Sequence, residues 1–156
     1  MKMLYFLRVI LLSFEAILIL GGVYFLYAYA DLAQSMADRA SISEDMLKYL
    51  TFLPVGIAGW VFVESRKLVF EKDTMAKLLV NWPDYWRLKA HINATFLFAI
   101  LFTLISFAPW FVKQHLSSGL GFVLFCLGIF GQFVVAASVY LAGFKIQELA
   151  TDAPKS

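Results

Sequence analysis

The chain has 156 residues, 62% of them hydrophobic and only 15% charged; that length suits one domain, whereas a water-soluble domain is nearer half apolar and a quarter charged. A core of this size cannot hide so much apolar surface, so lipid is the expected solvent for much of it. A formal net charge of +2 argues against nucleic-acid binding, and a lone cysteine, Cys126, excludes an internal disulfide.

The first predicted element is a membrane span over about 9–29, whose single charge is Glu15. Lys2 and Arg8 before it and Ala28-Tyr29-Ala30 after it imitate a cleavable secretory signal; the long apolar run and its internal acid favour a retained anchor. A short polar outer loop is expected next, over 30–46. Ser43 is the expected N-cap of the following helix, with Glu44 and Asp45 in its first turn. The second span, about 47–66, has the shortest apolar run, and Lys48, Glu64, Arg66 and Lys67 reach back to the headgroups from its ends. Pro54, Gly56 and Gly59 are expected to loosen this helix, a break that neighbouring helices can repair.

Between the second and third spans, Leu68, Met75, Leu78, Leu79 and Trp82 fall near one helical face and Glu71, Lys72, Asp73 and Lys77 on the other. This reads as a cytoplasmic amphipathic segment at the membrane surface. Pro83 ends it, and Trp82, Tyr85 and Trp86 form an interfacial aromatic set. The third span covers about 92–112 and the fourth about 118–144, both free of charge over most of their length. On the fourth, Gly121, Gly128, Gly131, Ser138 and Ala142 recur at helical spacing and make a packing face; small residues there let helix backbones approach closely in lipid. That neighbour is either another span of this chain or a span of a second chain.

Four spans place the N-terminus, the middle connection and the tail on one side. Ten of the thirteen Lys and Arg residues lie there, so that side is expected to be the cytoplasm of a bacterial-type inner membrane. The fold class read from the sequence is therefore all-α: a polytopic membrane protein, one domain, built as a four-transmembrane-helix bundle with both ends cytoplasmic.

Glu15 lies roughly 9 Å into the apolar layer at helical rise. An ionised carboxylate there costs on the order of 2–3 kcal/mol on the insertion scale. Arg8 is near in sequence, but its side chain leans toward the helix N-terminus and away from the acid. Depth matching instead brings Ser138, Trp60 and Tyr140 to the level of Glu15, an expected intramembrane polar cluster. Such a group acts either as a clamp that sets helix register or as a proton or cation site. Thr51, Thr103, Ser106 and Gln132 read as scattered.

No catalytic constellation, metal-ligand set or phosphate loop is visible, and no cofactor is expected. His91 and His115 fall on opposite sides of the membrane, too far apart to share a metal. The stretch RLKAHIN, with Arg87, His91 and Asn93, resembles in part the Arg-x-x-Arg-Ala-His-x-Asn-x-x-Glu signature of the four-helix membrane glutathione-transferase family. Phe96 stands where the glutamate belongs and two spans precede the motif instead of one, so the family is not assigned. In outline the plan is similar to immunity proteins against pore-forming bacteriocins of the colicin A type, a likeness of architecture without a residue motif. Three functions are carried forward. The first is intramembrane contact with a membrane-protein partner or a second copy, as an immunity protein or accessory subunit. The second is a proton- or ion-coupled transporter or channel subunit using Glu15. The third is a membrane enzyme near Arg87, His91 and Asn93.

Overall fold

The structure, a computed structural model, describes residues 2–40, 44–70, 85–111 and 118–151. These form six helices: α1 (Lys2–Leu11), α2 (Phe14–Ala28), α3 (Ala30–Ala40), α4 (Glu44–Phe70), α5 (Tyr85–Phe111) and α6 (Ser118–Thr151). Apart from Leu68, which ends up in α4, the expected amphipathic segment with Trp82 lies outside the described residues, as do the Ser43 cap and His115.

The first span is not the single helix expected. Ser13 leaves the helical region (φ −74°, ψ 155°), its hydroxyl accepts from the Ala16 N–H at 3.1 Å and donates to the Ile10 carbonyl at 3.1 Å. A serine that satisfies an orphan N–H of the next turn starts a new helix inside an apolar run. Tyr5–Leu11 and Phe14–Ala28 therefore meet at a bend of 44°. Glu15 becomes a first-turn residue of α2, where the helix dipole favours negative charge.

The connection after α2 is a second departure. Where a polar loop was expected, Ala30–Ala40 is helical. Its sequence ADLAQSMADRA is rich in good helix formers, with Asp31 in the first turn and Arg39 in the last, each complementing the helix dipole. Ala33 is buried against α6, and the Gln34 side-chain carbonyl accepts from the Gly119 N–H at 2.9 Å. That bond caps the start of α6, leaving one fewer unsatisfied donor there. Gly119 has no room for a side chain, since a Cβ would lie 2.5 Å from the Gln34 nitrogen.

α4 runs through Pro54 as one helix, with Pro54 itself buried. A Cβ on Gly56 or Gly59 would meet nothing within 4 Å, so neither glycine permits a close helix approach. α6 is the hub of the molecule, packing on α2, α3, α4 and α5. Val61, Phe98, Ala99, Phe102, Val135 and Val139 form the core, joined by Ile10, Ala16 and Ile19 from the N-terminal pair. One core is thus shared by the broken α1–α2 pair, α4, α5 and α6.

Outside that core the protein is apolar. Leu20, Phe52, Leu104, Phe130, Phe133 and Phe144 all face outward. Tyr85–Trp110 and Gly119–Glu148 are long and apolar enough to cross a membrane, yet only 33% and 28% of their most apolar windows is buried. Exposed apolar surface on this scale is unsustainable in water and expected in lipid. The chain is a helical membrane-type protein. Among the described residues two helices qualify as spans, or three if the bent α1–α2 pair counts as one, not the four expected.

Candidate functional site

A cavity of about 770 Å³ lies between α1, the start of α2, the first half of α5 and the end of α6. Spacing along α5 and α6 explains most of its lining. Arg8 and Glu15 are seven residues apart, as are His91 and Phe98, and Ser138 and Lys145; all six line the cavity. Seven residues are about two helical turns and about 10 Å of rise, so on α5 and on α6 each pair projects to one side at two depths, while Arg8 and Glu15 reach the cavity from the two sides of the break at Ser13. The antiparallel run of α6 places Lys145 with Arg8 and His91, and Ser138 with Glu15 and Phe98. The result is a basic collar above an acidic floor, with Leu12, Ala94 and Ala142 on the wall between.

The floor is the buried acid. Glu15 is 6% exposed, and its Oε1 accepts from the Ser138 hydroxyl at 3.1 Å. Ser138 is its one hydrogen-bond partner among the described residues, although a carboxylate has about four acceptor sites. The adjacent N-terminus of α2 supplies a favourable dipole, and the cavity supplies access. Arg8 lines the same cavity without an ion pair to Glu15 among the described residues.

Trp60 and Tyr140, expected beside Glu15, correct that reading. They are 44% and 59% exposed and do not line the cavity. Tyr140 is two residues past Ser138, about 200° around the helix, and its ring lies 5.6 Å from that of Phe144 on the outer face. Trp60 adjoins Val61, which points into the core, and so is turned outward. Depth was legible; azimuth was not.

The small-residue face of α6 is occupied within the chain. A Cβ on Gly128 would lie 2.5 Å from Ser106 Cβ and 2.9 Å from the Phe102 carbonyl oxygen, one on Gly131 would collide with the Phe102 ring, and one on Gly121 would sit 3.5 Å from Pro109. These three glycines receive α5. Further along, Ser138 bonds Glu15 of α2 and Ala142 lines the cavity.

Three of the polar residues read as scattered, Thr103, Ser106 and Gln132, also converge; the Thr51 side chain lies outside the described residues. The Gln132 side-chain amide, fully buried, donates to the Ala99 carbonyl at 2.6 Å and to the Thr103 hydroxyl at 2.7 Å. Thr103 in turn donates to the Ala99 carbonyl at 2.8 Å, and the Ser106 hydroxyl to the Thr103 carbonyl at 2.7 Å. This ties α5 to α6 just where the glycines let them approach; Gln132 and Thr103 face one another across helices and are invisible as a pair in either sequence stretch.

At the basic end, Tyr5 was missed. Its ring packs edge-on to Trp86 with centroids 4.9 Å apart, and its hydroxyl is 3.1 Å from His91 Nε2. The Arg87 guanidinium lies 5.6 Å from the Trp86 ring centroid and 5.8 Å from that of Tyr5. Tyr85 is half-buried beside them, so Tyr85 and Trp86 are the described part of the expected interfacial set. The recurrence Tyr5, Arg8, Leu12, Glu15 at steps of three and four could have exposed this face. Asn93 is exposed and sits about 200° around α5 from His91, so Arg87, His91 and Asn93 do not form one site. Cys126 is half-buried in mid-helix.

No family model, curated protein or solved structure matches the chain.

Proposed function

We propose that this chain is a four-span protein of a bacterial-type inner membrane, both ends cytoplasmic, that works as a proton- or cation-coupled transport or channel subunit through Glu15. The fourth span is α4, whose 27 residues extend about 40 Å at helical rise. It turns Phe52, Val55, Phe62 and Val63 outward. The orientation is supported by what meets at one end. Tyr5 touches Trp86 and His91, and Gly143 lies against Leu68, so the starts of α1 and α5 share an end with the finishes of α4 and α6. Arg8, Arg66, Lys67, Arg87, Lys89 and Lys145 gather there, as cytoplasmic loops require.

The observation that carries the reading is Glu15 itself: an acid buried in the apolar layer, held by one hydroxyl, at the floor of a cavity that reaches the basic end. Intramembrane acids that face a bundle interior or cavity mark ion and proton paths. Intramembrane contact, as an immunity protein or accessory subunit, would need another surface, because the small-residue face of α6 is covered by α5 and α2.

The test is proton flux into vesicles containing the full chain, with the potential clamped and a pH-sensitive dye inside. Wild type is expected to exceed protein-free vesicles. Glu15→Gln keeps shape and the acceptor for Ser138, and is expected to cut that flux at least about ten-fold with little change in thermal midpoint. Equal flux in the two proteins would reduce Glu15 to a clamp.

A further inference from the structure

We propose that the cavity above Glu15 is a specific site for one anionic phospholipid, its phosphate held by Arg8, His91 and Lys145 and an acyl chain leaving past Leu12 and Phe14. The inference rests on the bilayer placement above and not on Glu15 carrying protons.

Three helices each deliver one basic side chain: His91 and Lys145 stand two turns from Phe98 and Ser138 on their own helices, and Arg8 lines the same cavity from α1, across the break from Glu15. Arg8 makes no ion pair among the described residues. Lys145 is bonded to Glu148 at 2.7 Å, with both side chains more than half exposed, and an exposed pair of this kind is worth little and can re-partner. The guanidinium of Arg8 suits a phosphate diester, whose paired oxygens match its fork. His91 Nε2 faces the Tyr5 hydroxyl, leaving its other ring nitrogen for an outside partner.

The wall settles which phosphate. Leu12, Ala94 and Phe98 line the cavity beneath the collar, and they offer nothing to a free inorganic ion. Leu12 and Phe14 also line it while remaining 69% and 64% exposed. The break between α1 and α2 therefore opens the cavity sideways to the hydrocarbon. A headgroup at the basic end with its chain running out through that opening satisfies both linings. The volume, about 770 Å³, lies within the range of small-molecule cavities. With a lipid seated, the way from the basic end to Glu15 is covered.

The experiment is native mass spectrometry of the full chain released from a neutral detergent and titrated with phosphatidylglycerol or phosphatidylcholine. One saturable phosphatidylglycerol is expected per chain, with phosphatidylcholine binding at least about ten-fold more weakly. Arg8→Gln and Lys145→Gln are each expected to weaken phosphatidylglycerol about ten-fold. Arg66→Gln, an exposed cation at the same end but off the cavity, leaves it unchanged. Glu15→Gln retains the lipid, so loss of flux and loss of lipid are separable outcomes. Equal binding of the two lipids, or equal weakening by Arg66→Gln and Arg8→Gln, overturns the site. Displacement of the lipid by millimolar inorganic phosphate reassigns the collar to a free anion and also overturns the proposal.

Discussion

Gly128→Ala adds one methyl group at the tightest crossing of α5 and α6. The new carbon would lie 2.5 Å from Ser106 Cβ and 2.9 Å from both Ser106 Cα and the Phe102 carbonyl oxygen. Carbon atoms pack at about 3.5–4 Å, so α5 must retreat by roughly 1 Å at this level. Two of the three obstacles are backbone atoms, which no rotamer change removes. The retreat stretches the Gln132 bonds to Ala99 and Thr103, now 2.6 and 2.7 Å, beyond useful length. Overpacking costs about 1–3 kcal/mol, and interhelical hydrogen bonds in lipid about 0.6 kcal/mol each. Replacing a mid-helix glycine by alanine returns up to about 1 kcal/mol. The net expectation is a loss of about 1–3 kcal/mol, read by reversible unfolding in mixed micelles. Ser106→Gly in the same chain removes one obstacle and should recover part of the loss, a coupling that independent sites would not show. Stability equal to or above wild type, or no coupling between the two changes, would refute the account of this crossing.

Gly56→Ala carries the opposite sign: a Cβ there meets nothing within 4 Å, so the same unfolding assay should find it neutral or up to about 1 kcal/mol more stable. Ser13→Ala removes the acceptor for the Ala16 N–H and should cost about 1 kcal/mol, with Ser13→Thr close to wild type; an unchanged midpoint in Ser13→Ala would mean that the bend owes nothing to the cap.

Much was legible without coordinates, and for a simple reason. Hydrocarbon as solvent imposes rules that act residue by residue: long apolar runs, helices that satisfy their own backbone, and basic side chains at one end. The helical character, the level of Glu15 and the small-residue face of α6 follow from those rules and from spacing alone. The Glu15–Ser138 pair was reachable because both lie the same number of residues from a membrane edge. What spacing along one helix does not contain is rotation about its axis relative to a neighbour. That rotation put Trp60 and Tyr140 outside, and brought Gln132 to Thr103 and Tyr5 to Trp86 and His91. The break at Ser13 was equally hidden, since a serine in an apolar run becomes a cap only when packing rewards the bend. Only the tertiary arrangement, through the break at Ser13 and the antiparallel course of α6, set Arg8, His91 and Lys145 around one cavity with a buried acid.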